Sequence, residues 1–293
     1  MYSNFKTYLI LFGGVFAIST SAIWVKIAQA PSSVTAFYRL FIAAMVLMPF
    51  FAAKKKYRKE FLTINKKQWI HILFAGFFLA LHYVLWFESL KYTSIASSTV
   101  IVCLQPLFSL ALEKFVMKKK VKPTAITGCI IALSGCLIIG LGDFTISGLT
   151  LLGDILAFIA AGVIAFYFFV GEKIRKEISA VTYSTLSYFI SSIILFVYIL
   201  IQQETFIGYA NKTWLAFLGL ALIATIGGQF IFNLLLKKVP ASAVTMSILG
   251  EPIGTCLLAY VIFHETIRLQ QFIGIVVIII GMTVFFFISE RKD

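Results

Sequence analysis

Charge is scarce in this chain. Only 13% of its residues are Asp, Glu, Lys or Arg, about half the share in an average soluble domain. Acidic residues are scarcer still, 12 against 25 basic ones, while 60% of the chain is hydrophobic. That balance excludes a soluble globular domain of any size, and with it a basic nucleic-acid-binding surface, because Lys and Arg cluster in short connections between long apolar runs. Cysteine is equally thin. Cys103, Cys129, Cys136 and Cys256 all lie inside apolar runs without paired spacing, which excludes a disulfide framework or zinc site and leaves small packing residues. There is no HExxH, GxSxG, GxxxxGK[ST] or dinucleotide glycine fingerprint, so neither an ATP-driven pump nor a known hydrolase is expected, and no cofactor or metal.

Long hydrophobic runs are what the chain does have. Ten segments approach or reach the roughly 20 apolar residues that cross a bilayer: Tyr8–Ile27, Ser33–Ala52, Trp69–Leu90, Ile95–Phe115, Thr124–Leu141, Leu149–Val170, Val181–Gln202, Trp214–Leu236, Ser242–Phe263 and Gln270–Ser289. The first is too long for the apolar core of a cleaved signal, despite Ala28-Gln29-Ala30 behind it, and reads as a retained helix. Twenty basic residues fall on one set of alternate connections and ends, with four on the other and Arg39 left inside a span. By the positive-inside rule both termini are expected in the cytoplasm, in the plasma (inner) membrane.

The six prolines supply the next signal. Glu251-Pro252 lies at the middle of the ninth segment and Gln105-Pro106 at the middle of the fourth, 146 residues earlier. Proline removes one helix hydrogen bond and frees the carbonyl four residues back. Neither that carbonyl nor a charge is tolerated by hydrocarbon, so both should face protein or a water-filled cavity. Sliding Trp86–Gly135 onto Phe232–Gly281 matches seven of 50 positions, among them Pro106/Pro252, Gly128/Gly274 and Gly135/Gly281. Five spans per half is an odd number, so the second half, 144–293, enters the membrane inverted relative to the first, 1–143. The expected fold is an all-α membrane protein of ten helices in two inverted five-helix repeats, with a site between them near the midplane.

At these residues the chain resembles the EamA-like family of the drug/metabolite transporter superfamily. The resemblance runs through Tyr38-Arg39 in the second span, Trp86–Leu90 with Lys91-Tyr92-Thr93-Ser94 after it, Gly153-Asp154 opening the sixth, and the two mid-span prolines. It implies two bundle repeats around a central cavity and transport of small metabolites, often outward. The family often closes its fourth and ninth helices with a small loop holding Glu, here His264-Glu265; the corresponding position of the first half is Lys119.

The candidate substrate-binding residues are His82, Tyr83, Trp86, Gln105, Gln229 and Glu251. Glu251 is a mid-membrane carboxylate suited to binding and releasing a proton, and Gln105 is its neutral counterpart. His82 and Trp86, four apart, put an imidazole and an aromatic surface on one helix face. Gln229 and Asn233 share a face of the eighth span, where they line the cavity or bind helices together. For coupling or gating the candidates are Glu251, Glu88, Arg39, Pro106 and Pro252, with Arg39 expected to pair with Glu88 in an outer charge cluster. The reading is a secondary transporter, an exporter of amino acids or related metabolites by alternating access. The alternative is a membrane-embedded enzyme acting on lipid-linked substrates. The expected partners are the bilayer, a small molecule and protons, with a homodimer left open and no nucleic acid.

Overall fold

The computed structural model describes residues 2–140, 148–264 and 266–288. Among these it contains ten helices long and apolar enough to cross a membrane: Lys6–Ile27, Ser32–Ala53, Lys66–Ser89, Ser97–Val116, Pro123–Gly140, Leu149–Ile174, Ala180–Ile201, Asn211–Leu235, Ala241–Ile262 and Leu269–Phe287. We number them first to tenth. The boundaries lie within a few residues of the apolar runs. Glu265, Arg291 and Lys292 lie outside the described residues.

Helix starts follow their local chemistry. Asn65 and Gln68 form a reciprocal capping box at the third helix, and the Ser94 and Ser179 hydroxyls accept from the backbone three residues on at the fourth and seventh. A short basic helix, Lys55–Leu62, fills the connection between the second and third. Its Glu60 carboxylate accepts from the Ser179 amide and from the Thr182 hydroxyl, tying that connection to the start of the seventh helix.

The prolines break their helices as expected. The fourth divides into Ile95–Val102 and Gln105–Ala111, the ninth into Ala241–Ile248 and Glu251–Phe263. Tight three-residue hydrogen bonds, such as Gly250 N to Ser247 O at 2.9 Å, bridge the breaks.

Packing follows the two-repeat symmetry. The third helix packs along the sixth, and their repeat mates, the eighth and the first, pack the same way. The second packs on the seventh, the fourth on the ninth and the fifth on the tenth, each against its own mate. The fifth–tenth contact is set by glycine: a Cβ on Gly281 would stand 2.3 Å from Ala132 N and 2.6 Å from Gly128 O, and one on Gly135 would stand 2.6 Å from Gly274 O. These backbones touch only because four glycines carry no side chain.

Three helices carry π-helical segments, the tenth at its end over Val284–Ile288. The fourth ends in a π-helical turn, Leu112–Val116, and the eighth has a π-helical stretch at its centre, Leu220–Gln229. Gly228 lets the eighth helix meet Gly14 of the first, where a Cβ would lie 3.1 Å from the Gly14 carbonyl.

Candidate functional site

A cavity of about 90 Å³ sits at the two proline breaks. The second helix brings Arg39 to its wall, the third His82, Tyr83 and Trp86, the fourth Thr99, Cys103 and Gln105, the eighth Gln229 and the ninth Glu251. All six expected binding residues thus share one wall with Arg39, and Pro106 and Pro252 adjoin it in sequence.

Arg39 is the principal correction to the sequence reading. It does not join Glu88. Its Nε donates to Thr225 Oγ1 at 2.8 Å, its guanidinium carbon lies 5.4 Å from the Tyr83 ring centroid, and the residue is 6% exposed. The π-helical turn makes this arrangement: Thr225 Oγ1 donates back to Leu220 O at 2.9 Å, a five-residue step, and presents its oxygen to Arg39. Glu251 therefore shares its cavity wall with a formal cation.

Glu88 is elsewhere. It accepts from Lys91 Nζ at 2.7 Å and from the Tyr198 hydroxyl. The carboxylate holds the exposed Lys91 ammonium above its usual pKa. Nearby, Ser33 donates to Glu204, and the Tyr38 hydroxyl to Phe206 O at 2.8 Å. The second, third and seventh helices and the connection after the seventh are laced together on that side.

His82 Nδ1 lies 3.0 Å from Ala160 O. A carbonyl only accepts, so that nitrogen carries the proton. The ring stacks on Trp86 at 14° and 6.0 Å. Asn233 faces away from the cavity: its amide binds the Tyr167 hydroxyl at 2.7 Å and Ser184 at 3.0 Å, while Ser191 donates to Gly76 O at 2.7 Å. These polar groups hold helices together, one of the two roles the sequence left open.

Three wall atoms have unfilled hydrogen-bonding capacity. Ser21 Oγ, Trp86 Nε1 and Gln229 Nε2 are buried without a partner. Buried donors rarely go unsatisfied, and three around one small space make a polar recess waiting for an acceptor. Its volume holds about three waters, well below the several hundred Å³ of a metabolite pocket. Among the described residues no group of three or more His, Cys, Asp or Glu side chains is placed to hold a metal.

A second, wider space of about 770 Å³ opens on the lysine-rich face. Lys119, Lys120, Lys122, Lys176, Lys237 and Lys238 surround it, and Glu113 and Glu172 are among its lining residues. Sequence reasoning missed these two carboxylates, which are 6% and 3% exposed at the ends of the fourth and sixth helices. Two acids among only 12, one inside the end of the fourth apolar run and one just past the sixth, were the available signal.

Known proteins match this architecture over nearly its full length. The transporter YwfM of Bacillus subtilis, named as uncharacterized, is 26% identical over 97% of this chain and 94% of its own. YyaM of the same organism is 25% identical over 95% and 93%, and an uncharacterized transporter of Clostridium kluyveri 23% over 86% and 82%. A solved crystal structure superposes with a TM-score of 0.83 at 17% identity over 98% of this chain and 99% of the other, which establishes a shared fold. The model of the EamA-like transporter family matches twice, at residues 5–141 and 151–287, and this chain belongs to that family.

Proposed function

We propose that the protein is a secondary transporter that exports a small zwitterionic metabolite, an amino acid or related compound, by alternating access to the cavity at the proline breaks. The carrying observation is the wall itself: one guanidinium, one carboxylate and three unpartnered polar atoms around a single recess. Arg39 with Trp86 Nε1 and Gln229 Nε2 suits a substrate carboxylate, and Glu251 suits an ammonium group or a proton. Tyr83, Trp86 and Phe168 supply an apolar and cation–π surface for the remainder. At about 90 Å³ the recess is far smaller than a metabolite pocket of several hundred Å³, so loading requires the half-helices around Pro106 and Pro252 to move. Proline breaks, which have already given up backbone bonds, are where such motion is cheapest. In this reading Glu251 couples protons to transport, and the lysine-rich face and both termini are cytoplasmic, with the protein in the plasma membrane.

The test is counterflow in proteoliposomes. Vesicles preloaded in turn with each amino acid and a set of dipeptides, amines and monocarboxylates are assayed for uptake of the labelled compound. Exchange of zwitterions that fails when either the amino or the carboxyl group is blocked supports the reading. Preference for amines or acids alone refutes the zwitterion assignment.

A further inference from the structure

The ninth helix begins without a capping side chain of its own. Pro240 stands at the N-cap and offers no acceptor, which leaves the first amides of Ala241–Ile248 to be satisfied from elsewhere. Two carboxylates from other helices do so. Glu172 Oε2, at the end of the sixth, accepts from Ala241 N at 2.9 Å, and Glu113 Oε1, in the π turn of the fourth, accepts from Ser242 N at 2.9 Å. Lys119 locks the pair: its Nζ lies 2.6 Å from Glu172 Oε1, and its backbone N–H donates to the Glu113 carbonyl at 2.9 Å. These bonds join the fourth helix and its following connection, in the first repeat, to the sixth and ninth, in the second.

Their position gives them a task. Gln105 and Ile248 line the central cavity, while Leu110 and Ala243 line the wide lysine-rich space. Only five residues on each helix, about 7.5 Å of helical rise, separate the two spaces. Over that stretch the second half of the fourth helix packs against the first half of the ninth, with Ser109, Thr245, Met246 and Ser247 fully buried. The seal is one and a half turns thick, and the carboxylates grip its end.

We propose that Glu113, Glu172 and Lys119 form the clasp of the inner gate: they hold the paired half-helices shut between the cavity and the lysine-rich face, and access from that face requires their release. The clasp rests on the alternating-access reading. It assigns a task to Lys119, where the family resemblance leads one to look for a carboxylate. Glu113 and Glu172 act through the ninth helix and are positioning residues.

The test is a sided labelling measurement that needs no substrate. The four native cysteines are replaced by alanine, Val102 on the cavity wall becomes the reporter as Val102→Cys, and a membrane-impermeant maleimide is added from one side of oriented vesicles. Glu172→Ala and Glu113→Ala should each speed labelling from the lysine-rich side about tenfold, the weight of one charge-assisted hydrogen bond in an equilibrium. Labelling from the opposite side should not accelerate. Glu113→Gln keeps an acceptor for the Ser242 amide and should stay near the parent rate. Lys119→Met, which leaves both backbone bonds, should fall between parent and Glu172→Ala. If an alanine variant does not fold, Glu172→Gln and Lys119→Met decide, since both lose the ion pair and should accelerate alike. Unchanged labelling in these variants overturns the clasp, as does equal acceleration from both sides. Because labelling reads the gate alone, absent counterflow with accelerated labelling would count against the transport reading and leave the clasp standing.

Discussion

Arg39 and Glu251 share a cavity wall, and the energy that links them follows from the size of that cavity. The two charges are assigned a separation of about 6–8 Å across this space of about 90 Å³. At an effective dielectric constant of about 20 the attraction is about 2–3 kcal/mol. Arg39→Met loses that term together with the hydrogen bond to Thr225, about 1 kcal/mol more. The expected total is about 3–4 kcal/mol, or a fall of about 6–16 °C in Tm at the roughly 2–4 °C per kcal/mol of larger domains. Glu251→Gln loses the attraction but leaves Arg39 its bond to Thr225 and its place over Tyr83. In the double variant the attraction is lost once, not twice. The two single effects should therefore exceed the double effect by about 2 kcal/mol, read by thermal unfolding of the purified protein with tryptophan fluorescence. Additivity within about 0.5 kcal/mol is the behaviour of sites that do not interact, and it would refute the shared-wall electrostatics.

Pro106→Ala and Pro252→Ala restore a helix hydrogen bond, so folding should survive and counterflow slow severalfold; wild-type rates in both would remove the breaks from the transport cycle. Gly281→Ala places a methyl 2.3 Å from Ala132 N, and because the obstacle is backbone the fifth and tenth helices must separate. A loss of about 2–3 kcal/mol in unfolding free energy is expected, whereas Gly13→Ala, with nothing within 4 Å of its Cβ, should lose no packing. Single cysteines at Lys56 and Lys176 should react with impermeant reagents from the cytoplasmic side and one at Lys212 from outside; all three reacting from one side would contradict the alternation of spans.

Much of this was legible in the sequence because the bilayer constrains it so strongly. Span lengths follow from apolar run length, the inverted repeat from an odd number of spans per half, and the breaks from Gln105-Pro106 and Glu251-Pro252. Gly128, Gly135, Gly274 and Gly281 already stood out as positions matched between the two halves. Rotation about a helix axis was not legible. Arg39 and Glu88 lie near the same end of adjacent helices, and depth alone suggested a pair. The structure turns Arg39 inward, and Glu88 finds Lys91 three residues on and Tyr198 across the interface. The π stretch of the eighth helix changes which residues share a face, so Thr225 reaches Arg39 while Gln229 and Asn233 part company. Gly227-Gly228 was its faint trace. The clasp stayed hidden for another reason: Glu113 and Glu172 are matched to backbone amides more than a hundred and about seventy residues away, respectively, and no local pattern reports such partners.

The central claim is that the recess around Glu251 carries substrate and couples it to protons. It is tested most directly in proteoliposomes holding a counterflow-competent amino acid, with an imposed pH gradient and wild-type protein compared with Glu251→Gln. Glutamine retains shape and hydrogen bonding but releases no proton. Wild type should accumulate the labelled compound against its gradient, while Glu251→Gln should insert normally, still exchange it, and lose the accumulation. Undiminished accumulation in Glu251→Gln would contradict the account.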